Sequence, residues 1–190
     1  STDGGAIDLN REPSVLNMTG GTISGNTATG NGGGVYIYRS GSICNLSGGK
    51  IEKNTAAYGG GIYIYSGNYG QLKISGNPVV QSNIASGNAN NVYLPTGRKL
   101  SVDAMTDGAK IGVTTQEVPS ITAPVVFGNA CDTDYSGYFI SDNPDYLVRY
   151  NAEKQLVLIS TTYNVTYLPG VYGNGQTVVD PKEKNVDLLL

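Results

Sequence analysis

The chain has no histidine and no tryptophan, only two cysteines and two phenylalanines, and 14% charged residues. An ordinary globular protein carries about 25% charged residues. Each shortage removes a class of function. Without histidine, no Ser–His or Cys–His nucleophile pair can be assembled within the chain. Cys44 and Cys131 lie far apart in sequence and fall short of the roughly four clustered ligands of a zinc site. The basic residues are few and scattered, and a net charge of −3 with a pI near 4.8 excludes a nucleic-acid footprint. No apolar run approaches the ~18 residues of a membrane span, so no membrane insertion is expected. There is no signal peptide or other targeting segment. Ser1 enters a repeat already under way, and Leu188, Leu189 and Leu190 form an apolar run. The chain therefore reads as a fragment of a longer protein, about whose targeting it is silent.

Glycine is abundant instead, at 27 of 190 residues, roughly double the usual ~7%. It does not recur every third residue, which excludes collagen. The 39% hydrophobic content is regularly spaced, which excludes disorder. What remains is a fold with many tight corners.

The spacing is that of an internal repeat. GGAIDL starts at Gly4, GGGVYI at Gly32, GGGIYI at Gly59 and a weaker ANNVYL at Ala89. Between them lie LNMTGGTISGN from Leu16, CNLSGGKIEKN from Cys44 and LKISGNPVVQSN from Leu72, ending on Asn26, Asn54 and Asn83. Each repeat contains three short runs with the two-residue alternation of strands. The first run places Ile7 and Leu9, Val35 and Ile37, Ile62 and Ile64, and Val92 and Leu94 on one face. The second contributes Leu16 and Met18, Cys44 and Leu46, and Leu72 and Ile74. The third contributes Ile23, Ile51 and either Val79 or Val80. Gly, Asn, Ser and Thr fill the joins. Such short strands cannot bury a core alone, so each repeat must stack on its neighbours. Wrapping one repeat per coil brings equivalent residues about 4.8 Å apart in parallel ladders. The inward aliphatics then form columns, and Asn26, Asn54 and Asn83 can stack as an amide ladder. A β-propeller, the main rival, needs blades of ~40 residues. The prediction is all-β, a right-handed parallel β-helix over 1–97. Cys44 falls in an apolar slot, which predicts a buried free thiol; the alternative is a disulfide with Cys131.

Beyond Arg98 the period fades while β character persists in KLSVDA, AKIGVTT, PVVFGN, LVRYN and QLVLI, with Asn151–Lys154 as a hairpin turn. A solenoid end must be covered or its open edges pair with other chains. Residues 98–160 are therefore expected to form irregular coils and a C-terminal β cap, with 161–190 a separate linker and tail.

The pairing of GGAI at Gly4–Ile7 with IxxN at Ile23–Asn26 resembles the repeats of chlamydial polymorphic outer-membrane proteins, which combine a GGA-aliphatic motif with FxxN. With Ile in place of Phe, and GGGV or GGGI in two copies, it is more similar to the β-helical repeats of large surface proteins of Gram-positive gut bacteria. This resemblance spans Gly4 to Leu94 and implies a parallel β-helix on an exported, adhesin-like protein. From Thr162, TYNVTYLPGVYGNGQTVV resembles the start of a Listeria–Bacteroides repeat, which implies further domains of a bacterial surface protein.

Parallel β-helices also carry polysaccharide lyases and hydrolases, whose sites gather carboxylates on adjacent coils. Here the outward slot of the first strand holds Asp8, Tyr36, Tyr63 and Tyr93, so Asp8 has no acidic partner. Asp3, Glu12 and Glu52 occupy unrelated positions, which leaves general acid–base chemistry without paired groups. No catalytic residue is assigned. In CDTDYSG, the residues Asp132, Asp134 and Ser136 are spaced like the opening of a calcium loop. The twelfth position would be Asn143 instead of Glu; a polar turn is the simpler reading. Asn17–Thr19, Asn45–Ser47 and Asn164–Thr166 fit the glycosylation sequon, as an Asn-, Ser- and Thr-rich composition produces by chance.

The candidate site is aromatic. With Ile62 and Ile64 inward, Tyr63 and Tyr65 point outward. Tyr36 and Tyr38 hold the same slots one coil earlier, and Tyr93 one coil later. Such a face suits a glycan or a surface protein as partner; equally, stacked aromatics strengthen a parallel ladder. The expectation is a non-catalytic, extracellular or cell-surface module, with no cofactor beyond the calcium reading. The alternatives are a passive stalk or a polysaccharide-degrading enzyme.

Overall fold

Runs of three to six alternating residues satisfy their backbone only by pairing with their copies in the next repeat. A computed structural model of the chain describes residues 1–11, 13–67 and 70–161, and the backbone of 163–167 and 178–183. The strands of the first coils are β1 (Ile7–Leu9), β2 (Val15–Ser24), β3 (Val35–Ile37), β4 (Ile43–Glu52), β5 (Thr55–Ala56) and β6 (Ile62–Ile64). They are followed by β7 (Gln71–Gly76), β8 (Val79–Gln81), β9 (Ile84–Ala85), β10 (Asn88–Ala89), β11 (Val92–Leu94), β12 (Ser101–Met105) and β13 (Lys110–Thr115). The remainder are β14 (Val125–Val126), β15 (Phe139–Ser141), β16 (Tyr146–Tyr150), β17 (Leu156–Ser160), β18 (Tyr163–Tyr167) and β19 (Val178–Glu183).

Strands β1–β9, β11–β13 and β15 stack as a parallel β-solenoid of about five turns. The first column runs β1-β3-β6-β11, with Ile7 opposite Val35, Val35 opposite Ile62 and Ile62 opposite Val92. The second runs β2-β4-β7-β12 and aligns Met18, Leu46, Ile74 and Val102. The third uses the far ends of β2 and β4 with β8 and β13, aligning Ile23, Ile51, Val80 and Ile111. The middle of each column is sealed from solvent: Val35, Leu46, Ile51, Ile62, Leu72, Val80 and Val92 are all 0% exposed. Each such burial stabilises the fold by about 1.5–3 kcal/mol. Val80 takes the inward slot and Val79 is only half-buried. Cys44 is fully buried, and both thiols are free, so the disulfide alternative is excluded. Burial pushes the Cys44 thiol up to about 12.

The asparagines form the expected ladder, and it lies inside the wall. Asn54 Oδ1 accepts from the backbone N–H of Asn26 at 3.0 Å and from its Nδ2 at 2.9 Å. Asn83 Oδ1 accepts the same two groups of Asn54, each at 3.0 Å. Asn83 passes the pattern on to Asn91, whose amide and backbone N–H both donate to the Asp142 carboxylate. The glycine triplets follow from this packing. Gly32 and Gly59 have φ of +66° and +61°, which glycine adopts without strain. The third glycine clears the ladder: a Cβ on Gly61 would lie 2.8 Å from Asn83 Nδ2 and 2.4 Å from the Asn91 carbonyl.

Past Leu94 the columns merge. β12 extends the second column, and β13 alone serves two columns, with Ile111 beside Val80 and Val113 beside Val92. β15 lies parallel to β13, and β14, β17 and β16 form an antiparallel sheet. Phe127, Phe139, Leu156 and Leu158 of this region join the solenoid core. The turn at 151–154 is present, with Lys154 N–H donating to Asn151 O at 3.0 Å. β18 and β19 pair antiparallel with each other. The rest of the expected tail domain, at 162, 168–177 and 184–190, lies outside the described residues, as does Glu12.

Candidate functional site: the tyrosine face

The outer slots of the first column are set by the same register that buries its aliphatics. Asp8 lies opposite Tyr36, Tyr36 opposite Tyr63, and Tyr63 opposite Tyr93; the next residue in the row is Thr114. Tyr38 and Tyr65 sit one residue past the ends of β3 and β6. The structure brings all five expected tyrosines together. Their rings touch in sequence: Tyr93 to Tyr63 at 5.4 Å, Tyr63 to Tyr36 at 5.7 Å, Tyr36 to Tyr38 at 5.6 Å and Tyr38 to Tyr65 at 4.7 Å between centroids. Tyr63 and Tyr93 are stacked within 6° of parallel, while the other pairs are tilted by 37–47°.

Two features differ from the sequence reading. Tyr36 is only 5% exposed, although it occupies an outer slot. Rings on both sides, Tyr38 and Tyr63, cover it, so it supports the face more than it presents it. A sixth ring extends the row: Tyr58, 54% exposed, packs on Tyr93 at 5.5 Å. Tyr58 precedes the Gly59 corner, outside any alternating strand, so the two-residue period gave no direction for its side chain. Its only sequence signal is its adjacency to the glycine triplet.

Burial raises the phenol pKa of Tyr36, Tyr63 and Tyr93. Nearby Asp3 adds to the effect at Tyr36, and Tyr93 does so at Tyr63. All three phenols are therefore neutral near pH 7 and can both donate and accept hydrogen bonds. The Arg39 guanidinium stands 5.8 Å from the Tyr38 ring centre, which places a cation at one margin of the face.

The other candidate residues are dispersed into local turns. Asp132 Oδ1 accepts from Lys154 Nζ at 2.6 Å, and that contact holds the Asp132 carboxyl below its usual range. Asp134 Oδ1 instead accepts from the Ser136 N–H at 2.8 Å, at the start of a short 3-10 turn, Ser136–Tyr138. The segment has the arrangement of a polar turn, with its two carboxylates engaged by different partners. Asp8 accepts from Asn10 Nδ2 at 2.9 Å, and Asp3 Oδ1 from the Asn31 N–H at 2.6 Å. Asn17 and Asn45, both in sequons, bond to one another at 2.7 Å as an exposed counterpart of the inner ladder.

No protein-family model matches the chain, and no curated protein or solved structure matches it either.

Proposed function

We propose that this chain is a non-catalytic, adhesin-like module of an exported bacterial surface protein, which binds a glycan or a cell-surface ligand through its tyrosine face. One observation carries the reading: six tyrosine rings form a continuous row over consecutive coils, ending on the exposed Tyr58. Neutral phenols on flat rings supply apolar area and hydrogen bonds together, which is what a sugar or a mixed protein surface requires. The resemblance of the GGA-aliphatic and IxxN motifs to bacterial surface repeats, and of the tail to a Listeria–Bacteroides repeat, supports an extracellular setting.

A second reading is favoured by the burial of Tyr36 and by the near-parallel stacking of Tyr63 on Tyr93. Ring faces spent on each other strengthen the ladder, as a stalk needs. Binding of the wild type and of the double variant Tyr63→Ser/Tyr65→Ser to a glycan array and to intact cells separates the two. Each lost aromatic contact is worth about 0.5–1.5 kcal/mol beyond its buried area, so the pair should weaken a site roughly tenfold or more. Equal binding by two folded proteins would leave the stalk.

A further inference from the structure

We propose that Tyr38 and Tyr65 are an oxidative cross-linking site, at which two consecutive coils become joined by a dityrosine bond. Their centroids, at 4.7 Å, are the closest of the ring pairs in the row among the described residues, and their planes are inclined by 47°. A biaryl bond between phenols joins carbons ortho to the hydroxyls, so it needs adjacent ring edges that can swing together. Tyr63 and Tyr93 meet that need poorly, because they are stacked nearly face to face at 5.4 Å on strands pinned by the ladder. Tyr38 and Tyr65 lie just beyond their strands, where the coil turns, and both are half-buried, within reach of an oxidant in solution.

The remaining rings give the site a supply of oxidising equivalents. From Tyr58 through Tyr93, Tyr63 and Tyr36 to Tyr38, every successive centroid distance is between 5.4 and 5.7 Å. A radical formed at exposed Tyr58 can therefore pass by contact along the row to its tightest pair.

The oxidant is a peroxide used by a haem peroxidase, the reagent class that oxidises phenols one electron at a time. Each of the two phenols loses one electron to the peroxidase and its hydroxyl proton to water, giving two neutral phenoxyl radicals. These combine through one ortho carbon each, forming one carbon–carbon bond. The hydrogens on those two carbons then move through solvent to the oxygens, restoring both phenols. The protein loses two hydrogens in all, and one hydrogen peroxide becomes two waters. The product is a covalent tie between coils, independent of whether the same face binds a ligand.

The test treats the full chain with hydrogen peroxide and a haem peroxidase at low protein concentration. The monomer should lose the mass of two hydrogens and gain dityrosine fluorescence. Peptide mapping should join the segment holding Tyr38 to the segment holding Tyr65, and the cross-linked monomer should melt at a higher temperature. Tyr38→Phe and Tyr65→Phe keep the ring and remove the phenol; each should abolish the monomeric product while circular dichroism stays unchanged. In urea the specific pair should give way to mixed products. A monomeric cross-link mapped to any other pair, its survival in either Phe variant, or products formed only between molecules would overturn the proposal.

Discussion

Replacing Asn83 with Ala should be among the most damaging single polar changes in the molecule, and the structure sets its size. The side chain is 0% exposed. Its Oδ1 accepts from the Asn54 N–H and Asn54 Nδ2, each at 3.0 Å. Its Nδ2 donates to Ile51 O at 2.9 Å, Gln81 O at 3.0 Å and Asn91 Oδ1 at 2.9 Å. Two N–H groups serve three acceptors there, so one bond is shared and four count. At about 1 kcal/mol net for each neutral bond, with the buried Asn54 N–H left unpaired, the loss should be about 3–5 kcal/mol. A small domain is stable by only about 5–15 kcal/mol. The comparison is Asn45→Ala, which removes one exposed bond of 2.7 Å to Asn17 and should cost less than about 1 kcal/mol. Equilibrium urea unfolding followed by circular dichroism measures both, with equal slopes required for the comparison to hold. Asn83→Asp provides a sharper version. It keeps an acceptor for Asn54 but turns a carboxylate toward three carbonyl oxygens, so it should be worse than Ala at neutral pH and partly relieved in acid. If Asn83→Ala falls within about 1 kcal/mol of Asn45→Ala, the inner ladder is not a structural element and the reasoning fails.

The register of the first column predicts that Ile62→Asp unfolds the protein, since it places an unpaired charge in a dry aliphatic column. Tyr63→Ser should lower the melting temperature far less, and similar losses would refute the in/out assignment. The free thiols should divide by burial: Cys131 reacts with a thiol reagent in the native protein, while Cys44, fully buried and pushed up to about 12, reacts only on unfolding. Burial raises the Asp142 carboxyl, against its hydrogen bonds from Asn91 and Thr114. The folded chain then holds that proton more tightly than the unfolded chain, so stability should fall as pH rises from the ordinary carboxylate value through the native one. Asp142→Asn should remove that slope while weakening the fold at neutral pH, because one of the two oxygens that accept from Asn91 becomes an amide nitrogen facing a donor; a slope that survives the substitution would count against this account.

The sequence made the columns legible because their signal is redundant. Ile7, Val35, Ile62 and Val92 each repeat the same local alternation, so one misread coil would not move the register. The inner ladder was legible for the same reason at Asn26, Asn54 and Asn83. The tyrosine face was only partly so. A period of two gives the direction of a side chain along a strand but not what its neighbours cover, and the burial of Tyr36 depends on rings from two coils. Tyr58 lies on a corner, where no period applies. Asp142 was invisible because its role depends on Asn91, 51 positions away.

The fading of the period after Leu94 has a physical cause that ties these observations together. In the earlier coils each third-column strand is followed by a corner asparagine and then by a glycine triplet, whose third member lacks the Cβ that would fill the place of the next amide. In the fourth copy the triplet reads Ala89, Asn90, Asn91. A side chain at Asn91 occupies the space that glycine had kept clear, and it is this amide that receives Asn83. The following coil then needs no corner of its own: β13 passes from Ile111 beside Val80 to Val113 beside Val92 with a single glycine between. That residue, Gly112, must be glycine, because a Cβ there would stand 2.3 Å from Asn91 Nδ2 and 2.4 Å from Asp142 Oδ1. The carboxylate of Asp142 accepts the last two ladder donors and offers none onward, so the ladder can end there with its buried donors satisfied. The break in the repeat at Ala89–Asn91 is thus the point at which the sequence changes from propagating coils to terminating them.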